Sequence, residues 1–164
     1  MTADRLRRLV PGLLAAMLVI IGGWLFRDAA ARNGAVHAGE DAARTARDSI
    51  AAILSYQPAT AAQSLEAAAG DLLTGRFLDD YTQLIKTVVV PDAVGKRITA
   101  TATVPAAAVV SADAHRAVVL AYIDQTMTVG SAAPTQTNSA ARVTMDNIDG
   151  RWLISGLDPM WGGP

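Results

Sequence analysis

The residues with potential for acid–base chemistry are concentrated in one short stretch of the chain. Asp79, Asp80 and Tyr81 are adjacent in a segment whose apolar residues recur every three to four positions, which predicts a helix. Adjacent residues on a helix point in different directions, so at most two of these side chains share a face. Tyr81 falls on the apolar stripe and is predicted to lie in the core, whereas both carboxylates are predicted to face water. We therefore predict no catalytic residue here.

A candidate metal site consists of His37, Glu40 and Asp41, whose spacing places them on one side of a helix. A metal site usually needs a further ligand and supporting hydrogen bonds, and the sequence offers neither. The second histidine, His115, follows Asp113 at a predicted turn and is expected to be solvated. The sequence therefore predicts an exposed helix face, no metal and no cofactor.

The composition argues against several classes of function. The chain has 164 residues, a formal net charge of −1 and no cysteine. It therefore lacks the basic character of nucleic-acid binding proteins, and it offers no thiolate nucleophile, disulfide or cysteine-ligated metal. The sequence also contains no glycine-rich phosphate loop and no GxSxG nucleophile motif. We expect a protein that is not an enzyme and has no nucleic-acid partner.

An uncharged apolar run extends from Leu9 to Phe26. As a helix it spans about 27 Å, close to the hydrocarbon thickness of a bilayer, which is about 30 Å. Arginines at positions 5, 7 and 8 precede the run, so the positive-inside rule predicts a cytoplasmic N-terminus and an extracytoplasmic remainder. The alternative is a secretory signal cleaved at the alanines 29–31. The length of the run favours an uncleaved, single-pass anchor in the cell membrane.

Small residues recur within this predicted anchor. Gly12 and Ala16 lie four residues apart, a spacing that allows a second membrane helix to approach closely. The pair predicts a helix-packing site in the membrane.

The chain divides into five predicted segments. They are a cytoplasmic N-terminus (1–8), a transmembrane helix (9–26), a helical stalk and first helix (27–58), an extracytoplasmic α+β domain (59–158) and a C-terminal tail (159–164). Gly34 and Gly39 weaken the helical pattern of the third segment, which predicts a loose stalk.

Two further helices are predicted to open the α+β domain. Thr60 and Gln63 have the spacing of a capping box, and the helix that they begin is predicted to end at Gly70. The next helix is predicted to end at Pro91, and a short turn of helix is predicted to follow it as far as Gly95. The apolar face of the helix before Pro91 carries Phe77, Tyr81, Leu84, Ile85 and Val88.

Four antiparallel strands are predicted after residue 97. Residues 98–104 alternate between apolar residues and threonine. Pro105 is predicted to lie at a bulge or an edge, after which the strand resumes at Val109 and Val110. Residues 116–129 form the second strand, in which Tyr122 and Asp124 fall on the face opposite the apolar one. A loop over 130–140 precedes a strand over 142–148.

The last strand is predicted to form a hairpin with the third. Asp149 and Gly150 form a strong two-residue turn signal. Trp152, on the strand over 151–157, is predicted to pack on the helices. Helices followed by sequential antiparallel strands predict an α+β fold, with helices packed on a curved four-stranded sheet.

The order of these parts resembles the Mce-associated membrane proteins of actinobacteria, the accessory proteins of mammalian-cell-entry (Mce) lipid importers. The matching features are the apolar N-terminal run, the helix that ends near Tyr56, TGRFLDDY (74–81), VVSADAHRAVVLAYIDQT (109–126) and DGRWLISGLDP (149–159). The resemblance implies a cone-shaped domain of the nuclear-transport-factor type, as in the periplasmic scaffold subunit of type IV secretion systems. It also implies a non-enzymatic accessory subunit that stabilises or assembles a lipid or sterol importer.

Two alternatives remain open. An extracytoplasmic lipid-binding module would use small inward residues such as Ala100, Ala102 and Ala121 to leave room for a lipid chain, although close packing of helices on the sheet explains them equally. A small cone-fold isomerase or hydrolase is the minor alternative. Subunits of an Mce-type importer and the membrane are the expected partners, with a lipid as a possible ligand.

Overall fold

The computed structural model describes residues 34–160. Within these residues, four α-helices are followed by four β-strands. The helices are α1 (34–53), α2 (Ala61–Leu72), α3 (Gly75–Leu84) and α4 (Val90–Lys96), with a π-helical turn at Ile85–Val89 between the last two. The strands are β1 (Ile98–Ala112), β2 (Arg116–Val129), β3 (Thr135–Ile148) and β4 (Arg151–Met160). Residues 34–36 belong to an N-terminal unit, and a second compact unit begins at His37.

The strands form one antiparallel sheet in the order β1-β2-β3-β4, so each strand pairs with its neighbours in sequence. Helices cover one face of this sheet. The predicted α+β class and the four-stranded antiparallel sheet are therefore confirmed. We call the covered face of the sheet the inner face and the opposite one the outer face.

Alternation of side chains along the strands sets the core. On β1, Ile98, Ala100, Ala102 and Val104 are buried, while Thr101 and Thr103 are exposed. The register of β1 against β2 shifts between Thr103 and Ala106, which confirms the bulge predicted at Pro105. The bulge allows an edge strand to contain a residue that has no N–H to donate.

Helix α1 is part of the core, which differs from the predicted stalk. Ala42, Ala46, Ile50 and Ile53 on α1 are at most 2% exposed and belong to the core cluster. A β-carbon added at Gly39 would lie 3.1 Å from Val109 Cγ1. This glycine therefore allows α1 to approach β1 closely, and the compact unit begins at residue 37 rather than at the predicted boundary of 59.

The helix α2 differs from its prediction at both ends. The Thr60 side chain makes no capping hydrogen bond; instead the Ser64 hydroxyl donates to the Thr60 carbonyl oxygen at 2.8 Å. The helix also continues past Gly70. This residue lies on the exposed side of α2, where an added β-carbon would have nothing within 4 Å. Gly70 lacks the left-handed backbone of a helix-ending glycine, so α2 ends two residues later at Leu72.

The predicted break at Pro91 does not occur, whereas the short helix predicted after it is present as α4. The wider turn at Ile85–Val89 precedes it, and the Val90 N–H donates to the Ile85 carbonyl. Pro91 then occupies the first turn of α4, where a missing N–H costs no hydrogen bond. The turn also changes the predicted apolar face: Ile85 is buried, but Val88 within it is 49% exposed. Leu84, at the margin of the stripe, is 50% exposed.

Two strands are longer than predicted. β3 begins at Thr135, so residues 135–140 form a strand that pairs with β2 where a loop was predicted. Their polar side chains are exposed because this end of the sheet is not covered. β4 continues to Met160, and Pro159 pairs with Ala141 rather than ending the strand. An edge position tolerates this proline.

Both edges of the sheet are partly covered by the segments between helices. The Tyr56 and Ala100 backbones exchange hydrogen bonds of 2.9 and 3.0 Å at the β1 edge. At the β4 edge, the Thr74 N–H donates to the Ile154 carbonyl oxygen at 2.9 Å. These contacts occupy backbone groups that would otherwise be available for pairing with another chain.

The predicted anchor at 9–26, with Gly12 and Ala16, lies outside the described residues, as does most of the predicted tail. Among the helices of residues 34–160, none has the length and apolar character needed to cross a bilayer.

Candidate functional site

A cleft opens where α1, the end of α2 and the β3–β4 hairpin meet. Its volume is about 570 Å³. The hairpin turn that forms one wall has positive φ at both central residues, 52° at Asp149 and 82° at Gly150, as a type I′ turn requires. Trp152, which follows the turn, is 8% exposed and packs in the core. Trp152 therefore anchors the hairpin to the core.

Two arginines line this cleft, one bonded to a carboxylate and the other to a backbone carbonyl oxygen. Arg44 donates to the Asp41 carboxylate at 3.1 Å, one turn apart on α1. Arg151 Nη2 donates to the backbone carbonyl oxygen of Asp71 at 2.9 Å, which ties β4 to the end of α2. Asn147 and Leu153 complete the wall on the sheet side. Such a surface can bind a charged peptide segment or another polar group.

A second, shallower groove lies between α2 and α3 and has a volume of about 670 Å³. Glu66 on α2 and Lys86 at the π-helical turn line it, and their charged atoms are 3.6 Å apart. The Lys86 side chain is 59% exposed and the Glu66 side chain is 50% exposed, so this ion pair contributes little to stability.

The Asp79, Asp80 and Tyr81 side chains do not form one site. The Tyr81 hydroxyl donates to the Ile53 carbonyl oxygen at 2.6 Å, inside the core. Burial raises the pKa of Tyr81 above its ordinary value, and the neighbouring Tyr56 adds to this effect. Asp79 and Asp80 are exposed, and Asp80 lies 3.4 Å from Arg76 on the same helix. Tyr81 therefore has a structural contact of the kind that the sequence predicted.

The His37, Glu40 and Asp41 side chains are exposed on α1. His37 Nδ1 lies 3.9 Å from Glu40 Oε2. Within residues 34–160, no cluster of three or more histidine, aspartate or glutamate residues has a geometry suited to a metal ion.

His115 lies in the β1–β2 turn as predicted. Asp113 accepts hydrogen bonds from the backbone N–H groups of His115 and Arg116, at 2.7 and 2.9 Å, and these bonds lower the pKa of Asp113. The Asn147 N–H donates to the His115 carbonyl oxygen at 2.7 Å, so the turn is tied to β3.

The inward alanines fill the space between helices and sheet. Ala100, Ala102 and Ala121 are at most 4% exposed, and the last two belong to the core cluster together with Ala46 and Ile50 of α1. Their small side chains allow the helices to pack closely on the sheet.

The outer face of the sheet carries an apolar strip that the sequence analysis missed. Tyr122 is 51% exposed and Met160 is 48% exposed, and both lie on the row of directly opposed residues Ala106–Tyr122–Ala140–Met160. The sequence of β2 contains a pattern that could have predicted this strip. Residues 117–123 are all apolar, whereas a strand with one wet face should alternate.

Sequence comparison relates the chain to a mycobacterial protein. No protein-family model matches it. It is 51% identical over 152 residues to the outer membrane protein Rv1973 of Mycobacterium tuberculosis, covering 93% of this chain and 94% of the relative. The chain belongs to the Rv1973 family.

Solved structures show the same fold at low sequence identity. An IcmL-like type IV secretion system protein from Legionella pneumophila has a TM-score of 0.61 and 11% identity, covering 74% of this chain and 91% of that chain. A nuclear transport factor 2-like protein from Salmonella enterica has a TM-score of 0.51 and 13% identity, covering 74% and 94%. The nuclear-transport-factor-like fold implied by the resemblance is confirmed. The assignment to the Mce-associated proteins stays a prediction.

Proposed function

We propose that this protein is a non-enzymatic accessory subunit of a cell-envelope complex. In this proposal, residues 9–26 anchor it in the membrane by a single span, and the α+β domain recognises other subunits on the extracytoplasmic side. The finer proposal, which rests on the resemblance of the sequence, is that the complex is an Mce-type lipid or sterol importer.

The observation that carries the proposal is the cleft beside the β3–β4 hairpin. Its two arginines are Arg44, bonded to the Asp41 carboxylate, and Arg151, bonded to the Asp71 backbone carbonyl oxygen. They lie on α1 and β4, which both contribute to the core. Both arginines are exposed, and arginine is enriched at protein interfaces. A charged lining is also a poor environment for a lipid chain, which favours protein recognition over lipid carriage.

Two further findings support this function. The related Mycobacterium tuberculosis protein is named an outer membrane protein, and one structural neighbour is a type IV secretion system protein. Both are consistent with a domain that works in the cell envelope.

Co-purification tests the proposal. The full chain, tagged and expressed at its native level, is purified in mild detergent, and the proteins recovered with it are identified by mass spectrometry. Integral subunits of one envelope complex should be recovered in fixed ratio, and Mce-type subunits would support the finer proposal. Recovery of the protein alone, or together with lipid but no protein, would contradict it.

A matched pair of charge reversals locates the contact. Arg44→Glu lies in the cleft, whereas Arg76→Glu lies on exposed α3 away from it; each arginine has one carboxylate partner on its own helix, at 3.1 and 3.4 Å. Arg44→Glu should lower partner recovery at least about tenfold. Two like charges facing each other in an interface or at its rim weaken binding by on the order of 1.4 kcal/mol or more. Arg76→Glu should leave recovery unchanged. Equal recovery with both variants would rule out this cleft as the contact.

A further inference from the structure

The cleft beside the β3–β4 hairpin runs along the free edge of β4. Four consecutive residues line it, from Gly150 in the turn to Leu153 on β4. Side chains of consecutive strand residues point to opposite faces of a sheet, so a cleft that touches all of them lies against the edge. Trp152 is one of the four although its side chain packs in the core, so the cleft reaches its backbone.

The backbone of Trp152 points into this cleft rather than into the sheet. The Asn147 N–H donates to the His115 carbonyl oxygen, so the backbone groups of Asn147 point toward β2. Trp152 lies directly opposite Asn147 on β4, and the two residues therefore form a pair without mutual hydrogen bonds. The N–H and C=O groups of Trp152 consequently point away from β3. The Ile154 carbonyl oxygen, two residues later, points the same way and accepts a hydrogen bond from the Thr74 N–H.

The two backbone groups of Trp152 lie where the edge of β4 is open. Leu73 and Thr74 cover the edge at Ile154, but this cover does not extend to Trp152. Within residues 34–160, no backbone group outside the sheet bonds to the Trp152 N–H or C=O. A molecule that displaces water from this edge must therefore supply one acceptor and one donor, spaced as in a neighbouring strand.

We propose that the cleft binds an extended peptide segment of another subunit, which pairs with Trp152 as a short additional strand beside β4. A helix cannot make this contact because its backbone groups, apart from those at its ends, are bonded internally, and a lipid chain has no such groups. On the opposite wall, Ala38 and Thr45 lie on one side of α1, and their small side chains leave room for a side chain of the added strand. This inference rests on the proposed function, since it names the way in which the cleft recognises a subunit.

Amide hydrogen exchange of the full chain in detergent, followed by NMR, tests whether the edge is open. The Trp152 N–H should exchange at least about a hundredfold faster than the Leu153 N–H, which points toward β3. Equal protection of the two amides would show that the edge is already paired, by this chain or by a second copy of it, and would overturn the proposal.

Short random peptides, displayed on phage and selected on the full chain, test the pairing itself. Each peptide that binds is synthesised again with one backbone amide N-methylated at a time. Methylation of the amide that pairs with Trp152 should raise the dissociation constant at least about tenfold, because it removes the donor and crowds the edge. Methylation of the two neighbouring amides should change it less than about threefold, since adjacent amides of a strand point to opposite sides.

Two tryptophan substitutions locate the bound peptide. Thr45→Trp fills the cleft from α1 and should abolish binding, whereas Gln63→Trp on the exposed side of α2 should leave binding unchanged. Circular dichroism of both variants verifies that the fold is retained, so a loss of binding cannot be mistaken for unfolding.

Failure of this inference is distinguishable from failure of the proposed function. A selection that yields no peptide sensitive to Thr45→Trp would overturn the inference even if subunits co-purify with the protein. So would equal effects of N-methylation at neighbouring amides. Peptides that bind as predicted, without any co-purifying subunit, would support the peptide site and contradict the proposed function.

Discussion

Replacing Tyr81 by phenylalanine removes one hydroxyl group that joins α3 to the end of α1. The Tyr81 hydroxyl lies 2.6 Å from the Ile53 carbonyl oxygen, and the two residues are 9% and 2% exposed. Ile53 is at the end of α1, where backbone carbonyls lack partners within the helix. The substitution keeps the ring and its packing against Phe77, whose centroid is 6.2 Å away, so the hydrogen bond is the main loss.

The expected cost is about 1–2 kcal/mol, because a buried carbonyl is left without its donor. Urea denaturation at neutral pH measures it as a lower midpoint at an unchanged slope. The matched control is Tyr122→Phe, which removes a hydroxyl from a side chain that is 51% exposed and should change stability by less than about 0.5 kcal/mol. A Tyr81→Phe protein as stable as the natural chain would refute the assigned role of the hydroxyl.

The same substitution has a pH signature. Burial raises the pKa of Tyr81 above its ordinary value of 10.0, so the folded protein keeps a proton that the unfolded chain releases. The stability that Tyr81 contributes is therefore fully present below about pH 10 and decreases above it, by about 1.4 kcal/mol per pH unit until the folded state also ionises. The gap in stability between the natural chain and Tyr81→Phe should narrow above pH 10. A gap that is constant with pH would contradict this linkage.

Four further substitutions test three other parts of the fold by urea denaturation. Ser49→Ala should be neutral or stabilising by up to about 1 kcal/mol, since the Ser49 hydroxyl is buried and, within residues 34–160, has no hydrogen-bond partner; clear destabilisation would contradict this. Gly39→Leu should cost about 1–3 kcal/mol by crowding Val109, whereas Gly70→Leu on open α2 should stabilise; the reverse order would disprove the close approach of α1 to β1. Asp146→Asn should make the protein lose less stability below about pH 4. The hydrogen bond from Arg116 lowers the pKa of Asp146, and the stabilisation that this bond gives disappears as the pH falls through that pKa. If the variant loses as much stability below about pH 4 as the natural chain, the pair is not stabilising.

The sheet could be predicted from the sequence because one covered face gives strict alternation. Ile98–Val104 alternates without interruption, and the predicted bounds of β2 agree with the structure. The start of β3 could not be predicted, since residues 135–140 are polar on both faces where the sheet is uncovered. Their strand conformation depends on backbone pairing with β2, which leaves no mark in side-chain periodicity.

The helices were harder to predict because single residues act through tertiary contacts. Gly39 and Gly70 each interrupt a helical sequence pattern in the same way. Gly39 permits close packing on β1, whereas Gly70 lies on an open surface of α2. The helical region continues without a break through Pro91 because of the wider turn before it, and no sequence pattern predicts that turn. The cleft was also missed, because its lining comes from four separate elements that only the fold brings together.

The central claim is that an uncleaved anchor holds the α+β domain on the extracytoplasmic side of the membrane. The natural chain has no cysteine, so Gln63→Cys in the domain and Thr2→Cys before the predicted span can be labelled with a membrane-impermeant maleimide in intact cells. The account predicts a full-length protein in the membrane fraction, labelled at residue 63 and protected at residue 2 until the cells are lysed. A shortened protein released into the medium, or protection of residue 63 in intact cells, would contradict it.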